Sequence, residues 1–154
     1  MRPDWNEYWM GMVDQVSKRG TCDRGRVGCV FVRNNEILVT GYVGAPAGFE
    51  HCDEVGHQIK TVIHEDGTQS QHCTRTVHCE LAAIARAAKR GISLDGSTIY
   101  VGFTPCTTCA KVLISVGVKN IICKKKYHVA PESEEIFKQA NIPITYLSEE
   151  IEKY

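Results

Sequence analysis

The first eighteen residues carry apolar side chains at the spacing of a helix. Between positions 4 and 18 these side chains recur every three or four residues, as Trp5, Tyr8, Trp9, Met12, Val13 and Val16. Asp4 precedes the stripe and is a suitable N-cap, because its carboxylate can accept a hydrogen bond from a backbone N–H of the first turn. The pattern predicts an amphipathic helix whose apolar stripe packs on the core.

Most of the remaining chain alternates between strand and helix patterns. Two runs rich in β-branched residues, at 27–32 and 36–41, flank Asn34-Asn35 and predict a β-hairpin. Later patterns predict, in order, a helix over 78–90, a strand over 97–101, a helix over 106–116, a strand over 120–123, a helix over 131–140 and a strand over 142–147. Strands that alternate with helices favour a sheet with helices on its faces.

Residues 43–75 are the exception, because they show no clear periodicity. The segment holds four of the six histidines together with Gly44, Pro46, Gly48, Gly56 and Gly67. A loop longer than about 12–15 residues is uncommon in a compact domain and is usually functional or disordered. We therefore predict a long loop over 43–75 that is either mobile or ordered by something other than an apolar core.

The composition is ordinary for a globular domain, and 154 residues fit one domain, predicted to span 1–154. Net charge is zero, from 18 basic and 18 acidic residues, which argues against an electrostatic surface for nucleic acid or anionic lipid. No apolar run approaches the ~18 residues of a membrane span, and the first residues lack the pattern of a signal peptide. These features predict a cytoplasmic protein without a membrane partner.

The eight cysteines are the unusual feature of this composition. In a reducing compartment thiols do not persist as disulfides, so cysteines in a chain that also has six histidines point to metal binding. Cys29 and Cys123 lie inside predicted strands, and we expect them to be small buried core residues instead.

Two short pieces carry the candidate chemistry, and each opens a predicted helix. The first is His78-Cys79-Glu80, and the second is Pro105-Cys106-Thr107-Thr108-Cys109. Cys106 and Cys109 are spaced i and i+3, which places two thiolates on one helix face. With the His78 imidazole they make three ligands suited to Zn²⁺, and a catalytic zinc keeps its fourth position for water. The spacing of Glu80 from His78 does not by itself place both on one face.

Together the two pieces match H-x-E…P-C-x-x-C, the established signature of zinc-dependent nucleobase deaminases. The chain resembles the cytidine and deoxycytidylate deaminase superfamily, and most closely its deoxycytidylate branch, from Trp5 to about Tyr146. The resemblance includes the stretches 27–32, 41–46, 50–52, 72–81 and 96–106. It implies a three-layer α/β/α cytidine-deaminase-like fold with a central mixed five-stranded sheet.

The same resemblance implies hydrolytic deamination of dCMP to dUMP and ammonia, a supply of dUMP for dTMP synthesis. His78, Cys106 and Cys109 would hold a catalytic zinc, and Glu80 would move protons between water, ring N3 and the departing amine. Three other functions stay open: a cytidine or deoxycytidine deaminase, a tRNA adenosine or polynucleotide deaminase, and a non-catalytic zinc-binding module. The zero net charge argues against a nucleic-acid substrate.

Two positions depart from the usual pattern of the family. Cys79 stands where alanine is common between the histidine and the glutamate, and Val43 stands where relatives usually have an asparagine in the substrate pocket. A thiol beside the metal could compete for it. The missing asparagine leaves the sugar and phosphate contacts open, and with them the identity of the substrate.

Many deoxycytidylate deaminases resemble one another in having a second, structural zinc built from N-terminal residues. Cys22 and Cys52 match best, and His57 and His72 are the choices for the remaining ligands, with Cys73 as the alternative to His72. A structural zinc is worth about 10–16 kcal/mol in small peptides, enough to order a loop with few apolar residues.

A nucleotide phosphate needs a cation or backbone donors. Arg24 and Arg26 are the first choices because they precede a strand that feeds the pocket, and Tyr127 follows the fourth predicted strand, where relatives place substrate-facing residues. The remaining cationic candidates are Arg75, Lys124, Lys125 and Lys126. The resemblance further implies a homohexamer with dCTP and dTTP as effectors.

Overall fold

The computed structural model describes residues 1–152. The helices of this part of the chain are α1 (Trp5–Ser17), α2 (Cys52–Val55), α3 (Cys79–Arg90), α4 (Thr107–Ser115) and α5 (Ala130–Gln139). The strands are β1 (Gly28–Arg33), β2 (Glu36–Tyr42), β3 (Ile59–Ile63), β4 (Gln69–Cys73), β5 (Thr98–Phe103), β6 (Asn120–Tyr127), β7 (Ile144–Tyr146) and β8 (Ile151–Glu152).

The main sheet has the order β2-β1-β5-β6-β7. Strand β1 is antiparallel to both β2 and β5, whereas β5, β6 and β7 run parallel, so the sheet is mixed as expected. The short strand β8 pairs with the end of β6 and adds a sixth strand. Helix α1 packs on one face of the sheet, and α3, α4 and α5 contribute to the core on the other face. The three-layer α/β/α prediction is therefore confirmed.

Local chemistry sets the ends of these elements. Asn34 and Asn35 both have positive φ, at 54° and 59°, and close the two-residue turn between β1 and β2. Asp4 accepts a hydrogen bond from Glu7 N at 2.8 Å, so it is the predicted N-cap of α1. Gly91 ends α3 in the left-handed conformation with φ 68°, the usual glycine stop of a helix.

The prediction that the whole apolar stripe of α1 packs on the core is wrong in part. Trp9 and Val13 are buried, but Trp5 is 54% exposed and Tyr8 is 44% exposed. The ring centroids of Trp5 and Trp9 lie 5.8 Å apart, and those of Tyr8 and Trp9 lie 4.7 Å apart. The outer rings therefore pack on the Trp9 ring rather than on the sheet, because one helix can place only part of a wide stripe against a flat surface.

Residues 43–75 are more regular than the sequence predicts. The segment contains α2 and an antiparallel hairpin, β3–β4, in which Ile59 pairs with Cys73 and Ile63 pairs with Gln69. Most side chains of this hairpin are exposed or half-buried. A strand pair without a buried face needs no alternation of apolar and polar residues, so the pattern gave no signal.

Close packing brings the start of α3 against the sheet. A side chain at Gly41 in β2 would collide with the backbone of Cys79 and Ala83, so only glycine fits at this contact. Cys29 and Cys123 are fully buried in the same core, as predicted. In the described part of the chain, none of the helices has the length and apolar character needed to cross a membrane.

Candidate metal centre and active site

The first metal group is assembled where the N-terminal ends of α3 and α4 meet. His78 and Cys106 are the N-caps of these helices, with extended backbone at ψ 149° and ψ 168°. Cys106 follows the end of β5 after a two-residue link, and its sulfur accepts a hydrogen bond from Cys109 N at 3.5 Å. Both ligands therefore stand at the positive ends of helix dipoles. At Cys106 this position favours the thiolate over the thiol.

The three side chains fit a zinc ion. His78 Nδ1 lies 3.5 Å from the sulfur of Cys106 and 3.5 Å from the sulfur of Cys109. Zinc bonds of about 2.3 Å to sulfur and 2.0–2.1 Å to nitrogen in a tetrahedron would separate these atoms by about 3.6 Å. Within residues 1–152 this group has three members, which is the ligand number of a catalytic zinc.

At neutral pH the shifted pKa values favour the Cys106 thiolate and the His78 imidazolium, whose proton a metal ion would displace. Hydrogen bonds from Cys109 and from His78 lower the pKa of Cys106 to about 4, against the effect of burial. The hydrogen bond to Cys106 raises the pKa of His78 to about 9. Cys106 is therefore a thiolate at neutral pH, the form that binds metal.

Glu80 lines the same pocket as His78 and Cys106. Its side chain is only 6% exposed, and burial raises the pKa of its carboxyl group while the nearby His78 lowers it. His78 and Glu80 reach the same pocket because His78 is extended rather than helical, so the angular rule for helix neighbours does not apply to the pair. A buried carboxyl with a raised pKa is suited to accept and return protons.

Cys79 does not join the metal group. Its side chain is fully buried, and its sulfur donates a hydrogen bond to Glu80 Oε2 at 3.4 Å. Burial raises the pKa of Cys79 well above its ordinary value, so it stays a thiol. In the described part of the chain, Cys79 is therefore not placed to compete with the three ligands for the metal.

A second cluster gathers Cys22, Cys52, His57 and Cys73. The sulfurs of Cys52 and Cys73 lie 3.4 Å apart, and the sulfur of Cys22 lies 3.4 Å from His57 Nδ1. Burial alone would raise the pKa of Cys73, but hydrogen bonds from the backbone of Gln58 and Arg75 lower it to about 6. Four ligands of this type close a tetrahedral structural zinc site.

The choice of His72 for this cluster is wrong, and Cys73 takes its place. Successive side chains of a strand point to opposite faces, so β4 can direct only one of these two residues toward Cys52. His72 instead bonds through Nε2 to Ser70 Oγ at 2.7 Å, and that oxygen also lies 2.8 Å from His64 Nε2. Sequence could not separate His72 from Cys73, because the register of a hairpin with two exposed faces left no pattern.

The pocket wall includes Val43, Arg24, His72 and Tyr127. Val43 thus lines the same pocket as His78 and Cys106, and its side chain offers no polar contact. Arg24 donates a hydrogen bond to the carbonyl oxygen of Gln71 at 3.2 Å, which joins the segment before β1 to the hairpin.

Several predicted phosphate contacts lie elsewhere. Arg26 is not part of the pocket wall, because its guanidinium bonds to both carboxylate oxygens of Asp53 and to the Gly20 carbonyl. The three lysines of β6 are also engaged with carboxylates: Lys124 with Asp14, Lys125 with Glu150 and Glu152, and Lys126 with Glu134. Arg75 bonds to the Gly56 carbonyl at 3.2 Å.

The sequence did not predict the hydrogen bonds that Thr104 makes in the pocket wall. Thr104, immediately before Pro105, accepts a hydrogen bond from Tyr127 N at 2.9 Å, and its hydroxyl lies 3.2 Å from that of Tyr146. Tyr146 also donates to Glu134 Oε1 at 3.1 Å. In the sequence, only the position of Thr104 next to the Pro-Cys piece could have indicated a role for it. Its contact with Tyr146 joins residues 42 positions apart, so no local pattern predicts it.

Comparison with known proteins shows which proteins this chain is similar to. The cytidine and deoxycytidylate deaminase zinc-binding region matches residues 3–125. The chain is 35% identical over 143 residues to ComE operon protein 2 of Bacillus subtilis, covering 93% of this chain and 71% of that protein. It is 32% identical over 127 residues to the deoxycytidylate deaminase of Mycobacterium phage D29, covering 81% of this chain and 98% of that protein.

The fold is also similar to a solved structure with bound nucleotides. The dCMP deaminase from the cyanophage S-TIM5, in complex with dCMP and dUMP, has a TM-score of 0.76 and 27% identity. The alignment covers 96% of this chain and 99% of that one. In contrast, this chain spans less than half the length of the two yeast deoxycytidylate deaminases that it also matches.

Proposed function

The chain belongs to the cytidine and deoxycytidylate deaminase family, and from this premise we propose that it hydrolyses dCMP to dUMP and ammonia. The observation that carries the proposal is the buried Glu80, which shares one pocket with the ligands His78 and Cys106. A non-catalytic zinc module would have no use for a carboxyl group whose burial is costly without a function.

The mechanism follows from the placement of Glu80. His78, Cys106 and Cys109 would hold the zinc ion, which would lower the pKa of a bound water from about 15.7 to about 7. The Glu80 carboxylate accepts a proton from the attacking water and delivers it to ring N3. The water oxygen bonds to C4. As the C4–N bond breaks, Glu80 carries the proton of the new C4 hydroxyl to the amino group, which leaves as ammonia, and the C4 carbonyl of uracil forms. Its raised pKa suits this double role, and such a shuttle contributes roughly 10²–10⁴-fold to the rate.

Recognition of the nucleotide is assigned to residues that line the same pocket as the metal group. Arg24 is the cation of the pocket wall that we assign to the phosphate, since guanidinium and phosphate form strong charge-assisted hydrogen bonds. Tyr127, 8% exposed, supplies an apolar ring surface for the nucleoside. We leave Arg26 out of this assignment because Asp53 already pairs with it.

The decisive experiment is a panel of ammonia-release assays with dCMP, CMP, deoxycytidine and dCTP. We expect turnover of dCMP and a large loss of efficiency with deoxycytidine, which lacks the phosphate. Preference for deoxycytidine would instead indicate a nucleoside deaminase. Failure to deaminate any cytosine nucleotide would overturn the proposal.

We also propose that the second cluster holds a structural zinc. Support comes from its four ligands and from Asp23, whose carboxylate lies 2.9 Å from His57 Nε2 while Nδ1 of the ring faces Cys22. Metal-bound histidines commonly donate their other ring N–H to a carboxylate in this way. Metal analysis of the purified protein tests the assignment, with two zinc ions per chain expected and one contradicting it.

The remaining proposals rest on resemblance to deoxycytidylate deaminases. We propose a homohexamer that is regulated by dCTP and dTTP and that works in the cytoplasm, supplying dUMP for dTMP synthesis. Cysteines can bind metal only as reduced thiolates, so the two cysteine-rich clusters suit a reducing compartment. Exposed apolar residues such as Trp5 and Phe49 supply surface that an assembly would bury. Sedimentation analysis tests the assembly, and dCMP assays with added dCTP or dTTP test the regulation.

A further inference from the structure

The two metal clusters border the same pocket. Cys22 and Cys73 of the second cluster line it together with His78, Glu80 and Cys106 of the catalytic group. The second cluster therefore does not lie far from the catalytic residues, as a site with a purely structural role could. Any movement of its sulfurs would change the shape of the wall that faces the catalytic residues.

The β3–β4 hairpin depends on this cluster for its attachment. The two strands pair with each other in a separate sheet, and Ile59 and Ile63 are 44% and 69% exposed. Little apolar burial is therefore available to hold the hairpin against the body. Two contacts link it to the rest of the described chain: Cys73 meets Cys52 at its base, and the Gln71 carbonyl in the middle of β4 accepts the hydrogen bond from Arg24.

The cluster ligands are chain neighbours of the polar residues in the pocket wall. Arg24 follows Cys22 by two residues, and His72 directly precedes Cys73. Because side chains alternate along β4, fixing the Cys73 sulfur on the cluster side fixes the His72 imidazole on the other side. Ser70 then holds the imidazole through the hydrogen bond to Nε2. One metal ion would thus fix both Arg24 and His72.

We propose that the metal of the second cluster increases the affinity of the protein for its nucleotide substrate. It would do so by holding in place Arg24 and His72, the part of the pocket wall that binds the 5′ end of the nucleotide. This inference rests on the proposed dCMP deaminase activity. It assigns to the second metal an effect on KM, whereas the catalytic group and Glu80 determine kcat. A purely structural zinc would lower the apparent kcat through the amount of folded protein and would leave KM unchanged.

The test compares Cys52→Ser with Ile63→Thr, a control at an exposed hairpin position outside both clusters. Zinc content, hydrogen exchange of residues 59–73 and steady-state kinetics with dCMP and deoxycytidine are measured for each variant. Cys52→Ser should keep one zinc per chain, exchange faster in the hairpin and retain its kcat. Its KM for dCMP should rise about 10- to 100-fold, as for loss of a charge-assisted hydrogen bond, while the KM for deoxycytidine changes little.

The outcomes separate this inference from its premises. A wild-type protein that deaminates no cytosine nucleotide contradicts the proposed function, and an active wild type with one zinc per chain contradicts the second metal. An active two-zinc wild type whose Cys52→Ser variant loses one zinc and keeps its KM for dCMP overturns this inference alone. If Cys52→Ser does not fold, His57→Gln removes a less buried ligand and is judged by the same kinetic criterion.

Discussion

The carboxylate of Asp23 lies 2.9 Å from Nε2 of His57, while Nδ1 of the same ring faces the sulfur of Cys22. A carboxylate at this position orients the imidazole and favours the tautomer with its proton on Nε2, which leaves on Nδ1 the lone pair that a metal needs. Asp23 extends the second cluster by one residue beyond its four ligands.

Replacing Asp23 with alanine should weaken metal binding at the second cluster. Outer partners of this kind are worth 10- to 100-fold in metal affinity, and we expect about tenfold here because the Asp23 side chain is 69% exposed. Competition against a chelator measures the effect, with the catalytic zinc as internal reference. Asp14→Ala, which removes an exposed carboxylate paired with Lys124, is the matched control. Equal zinc affinity in the two variants would exclude the positioning role.

Replacing Glu80 with glutamine should abolish most turnover without loss of metal. The amide keeps the size of the side chain but cannot move a proton, so kcat should fall by about 10²–10⁴. Zinc content should stay equal to that of the wild type, because Glu80 is not a member of either ligand group. Glu65→Gln, at an exposed position in the hairpin turn, should leave kcat unchanged. A metal-loaded Glu80→Gln variant with near-normal turnover would refute the assignment.

The catalytic group could be predicted from sequence because each part of it is local. His78 and Glu80 depend on one helix start, and Cys106 and Cys109 depend on another. The prediction needed only that two helix N-termini meet, which the deaminase signature already implies. The layered sheet could also be predicted from sequence, because each strand and helix has its own local periodicity of apolar residues.

The second cluster and the pocket wall were harder to predict because they depend on contacts between distant residues. Arg24 and Arg26 look alike in sequence, and only the pairing of Arg26 with Asp53, 27 residues away, removes it from the pocket. The choice between His72 and Cys73 depended on which face of β4 meets Cys52. No local pattern records either relationship.

Replacing Gly41 with alanine should destabilise the protein, because the added methyl group would collide with the backbone at the start of α3. Overpacking of this kind costs about 1–3 kcal/mol in free energy of unfolding. Gly11→Ala is the matched control, since a methyl group there meets nothing within 4 Å on helix α1. Alanine is the better helix former by roughly 0.5–1 kcal/mol, so this variant should be more stable than the wild type. Urea unfolding measures both, and opposite signs are expected.

Replacing Tyr146 with phenylalanine should weaken the hydrogen-bond network that holds Thr104 and Tyr127 in the pocket wall, while leaving the ring in place. The hydroxyl donates to Glu134 Oε1 at 3.1 Å and lies 3.2 Å from Thr104 Oγ1, which in turn accepts from Tyr127 N. Its loss should lower the free energy of unfolding by about 0.5–1.5 kcal/mol for each hydrogen bond removed. The KM for dCMP should rise as well, because Tyr127 belongs to the pocket wall and its backbone is held through Thr104. Tyr8→Phe, an exposed tyrosine on α1, is the control and should change neither quantity. Urea unfolding and steady-state kinetics on the two variants give the comparison, and a Tyr146→Phe variant with wild-type stability and KM would show that this network does not support the pocket.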